Sequence, residues 1–459
     1  MSDYTALKAR FQEAGQGHVF NFYEELSADQ QQELISQLSK IDPAEVNGLY
    51  TKAIKAANSE AKDSIEPLPE HAFDSTITSA DKIPEWEKIG MDLISKNKLA
   101  VLLLAGGQGT RLGSSAPKGC YNIGLPSGKS LFQLQAERIR RLEALAQANS
   151  SSKVVIPWYI MTSGPTRSAT EEFFKSNNYF GFHPDNVVFF NQGTLPCLTN
   201  DGKIILEDKS KVAVAPDGNG GIYPALRKEG IITNMAQRGI EYIHSYCVDN
   251  CLVRVADPVF IGYSVSKGAE CGAKVVPKVS PTESVGVICV KNQKFSVVEY
   301  SEITEEMAHR TDSNTGKLSF AAANICNHFY TLPFLQRMEA VEKELEYHIA
   351  HKKIKYIDLA SHEKVSPTSP NGMKLEAFVF DVFPFTQKFA VLEVARDEEF
   401  SPLKNAPGSA TDGPETSRRD IIAQYIRFIE KAGGKVEKGD SSDVTDFKFE
   451  LSPPCELFG

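Results

Sequence analysis

LAVLLLAGGQGTRLGSSAPKGCYNIGLPSGK, residues 99–129, decides how the rest of the chain is read. The run Leu99 to Ala105 is apolar without alternation, which suits a parallel strand covered on both faces. Behind it come seven glycines, at 106, 107, 109, 113, 119, 124 and 128, together with Arg111 and Lys118. A backbone without Cβ atoms bends sharply and brings N–H groups against a phosphate, so a glycine turn at a strand's carboxyl end reads as a nucleotide-binding loop. Spacing narrows the kind. A dinucleotide fingerprint needs glycine where Leu112 stands, and a Walker loop needs G-x-x-x-x-G-K-[ST], which is absent. What remains is G-G-x-G-T-R-L-x4-P-K, from Gly106 to Lys118.

At 459 residues, two or three domains are expected. The 50 basic against 59 acidic residues leave a net charge of −9, which disfavours nucleic acid and anionic membranes as partners. The first twenty residues carry Asp3, Lys8, Arg10 and Glu13 without an apolar segment, and no run approaches the ~18 residues of a membrane span. A cytosolic protein is expected, with a monomer as the default. Eight cysteines without a C-x-x-C pair read as free thiols, and Cys247 and Cys251 as small buried side chains rather than metal ligands.

Residues 1–97 show helical periodicity over Tyr4–Ala14, Ala28–Leu38, Ala44–Ala57 and Lys82–Lys96, and are expected to form a helical domain with no chemistry of its own. From Lys98 strands alternate with helices, the pattern of βαβ units and a mainly parallel sheet, and 98–395 is expected to be the catalytic domain. In such α/β sheets ligands bind at the carboxyl ends of the strands. The loops at that edge are Thr162-Ser163, Asn191-Gln192-Gly193, the glycine-rich turn 216–221 and Asp249-Asn250. Helix capping and ligand contact stand about equal for Thr162-Ser163. A plain turn and a Mg²⁺-holding carboxylate stand equal for Asp249 on spacing alone. Further on, a hairpin is expected around Lys291-Asn292-Gln293, a long amphipathic helix over Leu332–Lys352, and an aromatic strand over Lys374–Phe385 with Phe378, Phe380 and Phe383 in the core. A small α+β domain closes the chain at 396–459.

The motifs AGGQGTRLG…PKG, IMTS, NQGTLPCL, APDGNGGIY, VDN, VGV, VVEYSE, NICNH, KLEAFVFD and SPLKNA follow one another in this order. In this the chain resembles the eukaryotic-type UDP-N-acetylhexosamine pyrophosphorylases across essentially its whole length. The resemblance implies a Rossmann-like, GT-A-like nucleotidyltransferase fold. It also implies a reaction: UTP and N-acetylglucosamine 1-phosphate give UDP-N-acetylglucosamine and diphosphate with Mg²⁺, or Mn²⁺ in its place. On the matching positions, Arg111, Lys118 and Lys404 would act on the phosphates, with Gly107 and Gly109 close by, and Asp249 would hold the metal. Gln192, Gly106 and Gly107 would hold the uracil and Gly218 the nucleoside. Asn219, Gly286, Glu299 and Asn324 would serve the sugar, with Phe378 and Phe380 beside its acetamido group. One departure is Cys120, where many members carry Met; it reads as a packed residue or as an accessible thiol. Competing expectations are a UDP-glucose or broad UDP-sugar pyrophosphorylase, and a non-catalytic nucleotide-sugar sensor.

Overall fold

The computed structural model describes residues 2–58, 63–313, 315–437 and 449–452. The chain forms two compact units, each discontinuous in sequence. The smaller comprises 1–62, 192–224 and 342–381, and the larger 63–191, 225–341 and 382–459. Residues 1–97 are thus divided at 62/63, and 396–459 lies within the larger unit.

The larger unit is built on the sheet announced by residues 99–104. Among the described residues, eleven strands belong to it, and eight form a path in the order Phe73–Ser75, Phe389–Glu393, Cys271–Pro277, Ala322–Thr331, Tyr242–Cys247, Leu99–Leu104, Trp158–Thr162, Val187–Asn191. Every residue of Leu99–Leu104 is buried, as a strand with parallel neighbours on both sides requires. Along this path the pairing is parallel except at Ala322–Thr331, which runs antiparallel to both its path neighbours, and the strands off the path pair antiparallel. Helices Ile83–Ser95, Leu131–Gln147, Gly164–Ser176 and Pro258–Ser266 cover it, and Trp86, Phe132, Ile139, Phe174 and Phe260 join Val101, Leu103 and Ile160 in one core. The expected hairpin is present as Val287–Lys291 and Lys294–Val298, with Asn292 and Gln293 at positive φ in the turn.

A second apolar cluster seats the closing helix Pro414–Lys431. Ile421, Ile422, Tyr425 and Ile426 pack with Leu112, Ile123 and Leu131 from the glycine loop and the segment after it, and with Leu403. The loop and the segment that carries Lys404 therefore share one core.

In the smaller unit, helices Ser2–Glu13, Ala28–Leu38 and Pro43–Ala57 surround a three-stranded sheet in the order His348–Lys352, Gly372–Glu376, Leu198–Thr199. The helix starts are written locally: Ser27 and Gln30 form a capping box, and Asp42 accepts from the N–H groups of Ala44 and Glu45 just before Pro43. Phe11, Phe22, Leu34 and Leu38 then pack with Leu198, Met373 and Leu375.

Two expected elements differ. The helix predicted over 332–352 ends at Val341, and His348–Lys352 is a strand paired with Gly372–Glu376, so tertiary pairing overrides the local helical period. The aromatic strand stops at Glu376; Phe378 and Phe380 lie in a turn and Phe383–Phe385 is a short 3-10 helix. Phe380 and Phe383 are buried as expected, whereas Phe378 is only partly so.

Candidate active site

Four strands of the larger unit end at one edge, because Cys247 pairs with Leu104, Leu104 with Met161 and Met161 with Phe190 in parallel register. The residues that follow are the Gly106 loop, Ser163, the end of Val187–Asn191, and Asp249. Ser163 is used internally: its hydroxyl donates to the Gly106 carbonyl (2.8 Å) and its N–H to Thr166 Oγ1 (3.0 Å) at the start of helix Gly164–Ser176. Thr162 donates to Asn191 Oδ1 (2.8 Å). These two hydroxyls are thus spent inside the protein, tying neighbouring strand ends together.

The glycine loop folds back on itself. Gly109 N–H donates to the Ala116 carbonyl (2.9 Å) and Lys118 N–H to the Gly107 carbonyl (3.2 Å). The amide of Gly109 is thus spent on the turn, and Gly109 is buried, whereas Gly107 and Arg111 are exposed. The return places Lys118 Nζ 3.6 Å from Asp249 Oδ2, each side chain about one-fifth exposed (19% and 21%). Cys120, two residues on, is half-buried against the core, and burial pushes its thiol up to about 12. It is a packed side chain, with little thiolate at neutral pH.

Lys404 comes to the same edge through backbone pairing. Leu403 N–H donates to the Asp249 carbonyl (2.9 Å), Ser401 N–H to Asn250 Oδ1 (3.0 Å), and Asn250 Nδ2 to the Glu399 carbonyl (2.7 Å). Glu399 is itself pinned: its carboxylate and that of Asp257 flank the fully buried Lys274 ammonium. Lys404 N–H then bonds the Asp412 carbonyl (2.7 Å). Burial raises the Asp412 carboxyl above its usual range, with the Lys404 charge opposing and Asp249 reinforcing the shift. A lysine 155 positions after Asp249 in sequence thus follows directly on its β-partner.

The same unit gathers three further predicted residues. Asn324 N–H donates to the Gly286 carbonyl (2.9 Å), and a Cβ built on Gly286 would lie 2.6 Å from Glu299 Oε1. Gly286 and Asn324 are buried and Glu299 is partly exposed.

In the smaller unit the turn 217–221 is locked to the segment 377–381. Gly218 has φ +88°, and a Cβ there would stand 2.2 Å from the Ala377 carbonyl oxygen, so both conformation and contact demand glycine. Gly220 N–H donates to that carbonyl (2.8 Å), and Ala377 N–H to the Asp217 carbonyl (2.8 Å). Asn219 Oδ1 accepts from Val379 N–H (2.9 Å), so its oxygen holds the aromatic turn. Gln192 Nε2 reaches the Gly218 carbonyl at 3.3 Å. Phe378 and Phe380 lie with ring centroids 5.1 Å apart.

Asp381 and His348 fix this turn. Asp381 accepts from Phe378 N–H (2.6 Å) and from His348 Nε2 (3.2 Å), while the His348 ring lies 4.3 Å from that of Phe378. Burial raises the Asp381 carboxyl, opposed by His348. Both its oxygens are engaged in holding this turn. His348 and Asp381 stand 33 positions apart, and no local pattern links them.

Among the described residues, no group of three or more His, Cys, Asp or Glu side chains is placed to cage a metal. No helix among them is long and apolar enough to cross a membrane. A cation here would rest on Asp249. That fits a Mg²⁺-type ion, which takes one or two carboxylates and fills its remaining positions with water and substrate oxygens.

A glycine-rich loop at parallel strand ends, with lysines and a carboxylate beside it, defines a phosphate-transferring enzyme of the nucleotidyltransferase class. Residues 45–408 match the family described as UTP--glucose-1-phosphate uridylyltransferase, and the chain belongs to that family. It is 48% identical over 463 residues to a UDP-N-acetylhexosamine pyrophosphorylase-like protein 1 of Xenopus tropicalis, covering 98% of this chain and 90% of that protein. It is 46% identical over 453 residues to the UDP-N-acetylglucosamine pyrophosphorylase of Saccharomyces cerevisiae, covering 96% and 94%. Among solved structures, the uridine diphosphate N-acetylglucosamine pyrophosphorylase of Trypanosoma brucei superposes with a TM-score of 0.84 at 34% identity, over 94% of this chain and 87% of that one.

Proposed function

We propose that the protein is a uridylyltransferase that converts UTP and N-acetylglucosamine 1-phosphate to UDP-N-acetylglucosamine and diphosphate. A phosphate oxygen of the sugar phosphate attacks the α-phosphorus of UTP. The new P–O bond forms as the bond to the β-phosphate oxygen breaks, and diphosphate leaves with the electron pair. No covalent enzyme intermediate is needed, so positioning and charge stabilisation supply the acceleration.

The observation that carries this reading is the pairing of Lys118 with Asp249 behind the G-G-x-G-T-R-L loop, with Lys404 bound by backbone to the same strand end. Lys118 and Arg111 neutralise the departing diphosphate and the α-phosphate, and Lys404 meets the phosphate of the incoming sugar. Asp249 would hold Mg²⁺, or Mn²⁺ in its place, and the bound cation would supply charge neutralisation at the triphosphate. The backbone of Gly106 and Gly107 and the Gln192 amide receive the uracil, and the rigid Gly218 turn supports the nucleoside. Glu299, Gly286, Asn219 and Asn324 serve the hexosamine, and Phe378 and Phe380 its acetamido methyl. Seven described cysteines are free thiols, which suits a reducing compartment, and we place the reaction in the cytosol.

The test is release of diphosphate by pure protein from UTP, Mg²⁺ and N-acetylglucosamine 1-phosphate. Turnover that depends on all three supports the assignment. No release, with UDP-N-acetylglucosamine still bound, makes the protein a non-catalytic binder.

A further inference from the structure

The strand Ala322–Thr331 carries buried polar side chains that the reaction above leaves unused. Its pairing with Cys271–Pro277 slips between Lys274 and Val275, so that Asn324 and Asn327 face successive partners while Ile325 and Cys326 are left over as a bulge. Cys326 has φ +53°. The bulge turns the Cys326 N–H back onto Asn324 Oδ1 (3.0 Å). A backbone N–H can only donate, so this contact fixes which end of the Asn324 amide is oxygen.

The same oxygen lies 3.1 Å from Nε2 of His328, which must then carry the proton. His328 is fully buried, and desolvation lowers it to about 3, so the imidazole is neutral and its Nδ1 is a bare acceptor. The Tyr330 hydroxyl stands 3.2 Å from that Nδ1, placed to donate. The polarity runs one way: Tyr330 O–H to His328 Nδ1, His328 Nε2–H to Asn324 Oδ1. An edge-on contact with Phe383, with centroids 5.1 Å apart, holds the ring in plane. With its oxygen doubly occupied, Asn324 is left with its NH₂ group to offer.

We infer that His328, oriented by Tyr330, is a positioning residue that sets the Asn324 amide as a hydrogen-bond donor toward the sugar, so that the group recognised there is an oxygen acceptor of the N-acetylhexosamine, a carbonyl or hydroxyl oxygen. This rests on the reading of Asn324 as a sugar-facing residue. It adds the direction of the contact and the two side chains that enforce it. A flipped amide would set its NH₂ against the Cys326 N–H and leave the ligand oxygen facing another oxygen. Discrimination follows, because a site built to donate loses far more from an unpaired polar group than from a missing apolar contact.

The experiment is steady-state kinetics in the synthetic direction, with each substrate varied, on wild type, His328→Leu, His328→Gln, Tyr330→Phe and Asn324→Asp, and with thermal melting of each. His328→Leu removes the donor and is expected to raise KM for N-acetylglucosamine 1-phosphate about tenfold, with KM for UTP within about twofold. His328→Gln keeps an N–H near the Nε2 position and is expected to recover most of the loss. Tyr330→Phe gives a smaller shift of the same kind, about two- to fivefold. Asn324→Asp retains the acceptor but not the NH₂, and is expected to lose sugar-phosphate affinity at least as strongly as His328→Leu. If both KM values move together, or if Gln does no better than Leu while Asn324→Asp behaves as wild type, the relay is overturned. Should His328→Leu fail to fold, Tyr330→Phe and Asn324→Asp decide the matter alone. A wild type that never turns over N-acetylglucosamine 1-phosphate overturns the assigned reaction, and this inference with it. A wild type that turns it over beside unselective variants overturns the relay alone.

Discussion

Replacing Lys118 by Met separates a structural contact from a catalytic one. In the protein the ammonium lies 3.6 Å from Asp249 Oδ2, with the two side chains 19% and 21% exposed, which is a loose and partly solvated pair. Losing such a pair costs folding stability about 1 kcal/mol or less. The transition state asks more of the same lysine. In the proposed role, charge builds as diphosphate departs on the oxygens Lys118 would face, and one donor aimed at developing charge in a closed site is worth about 10²–10³ in turnover. Stability and catalysis should therefore part: kcat falls at least a hundredfold, while the melting temperature shifts by a few degrees only. KM for N-acetylglucosamine 1-phosphate should stay within about threefold, since the charge is assigned to phosphate oxygens that change during the transfer. The assay is coupled diphosphate release with each substrate varied in turn, alongside thermal melting. A kcat within about threefold of wild type would refute the placement of Lys118. So would a loss confined to KM for the sugar phosphate.

Asp249→Asn keeps the shape of the strand end but removes the carboxylate charge; the Mg²⁺ concentration for half-maximal rate should rise about tenfold or more, and an unchanged metal titration would show the cation to be held elsewhere. Gly286→Ala sets a methyl group 2.6 Å from Glu299 Oε1 and 2.9 Å from Val297 Cγ1, so both side chains must shift; KM for the sugar phosphate rises several-fold and stability falls by about 1–3 kcal/mol. An unchanged KM would mean that Glu299 does not touch the sugar. Acid should destabilise the fold early. His244 and His328 are lowered by burial to about 4 and about 3, whereas unfolded imidazoles titrate near 6.5. Because the folded values are depressed, their contribution is complete above the unfolded value and is lost as pH falls from about 6.5 toward the folded values. Each forfeits about 2 kcal/mol between pH 7 and 5. Urea unfolding at the two pH values reads this, and equal midpoints would contradict it.

The sheet and its phosphate edge were legible in the sequence because local and tertiary demands agree there. Leu99–Leu104 is apolar throughout because it is covered throughout, and the glycines that follow mark a turn that no other residue makes so cheaply. The hairpin at Asn292-Gln293 was legible for the same reason. Strand Ala322–Thr331 was not assigned, because Asn324, Asn327 and His328 break the apolar run; their polarity is satisfied by partners that become neighbours only in the folded sheet. The helical period after Leu332 misled in the opposite direction, since His348–Lys352 has its partner at Gly372–Glu376 and pairing decides its state. Lys404 was found through the SPLKNA motif alone. The physical reason it matters, the Leu403 to Asp249 backbone bond, joins segments over 150 residues apart. The Asp381 and His348 clamp on Phe378 left no mark in the local sequence at all.

The sugar is the central claim, since the phosphate chemistry serves any sugar 1-phosphate. The direct measurement is kcat/KM for N-acetylglucosamine 1-phosphate and for glucose 1-phosphate under one set of conditions, with UTP and Mg²⁺ saturating. The two substrates differ only at C2, acetamido against hydroxyl, and Phe378 and Phe380 are assigned to meet the acetamido group, with Asn324 on the polar groups of the hexosamine. Buried polar groups left unpaired by the wrong substrate give ratios of about 10² or more, and the account predicts a preference of that order for the N-acetylated sugar. Equal values for the two substrates would contradict it.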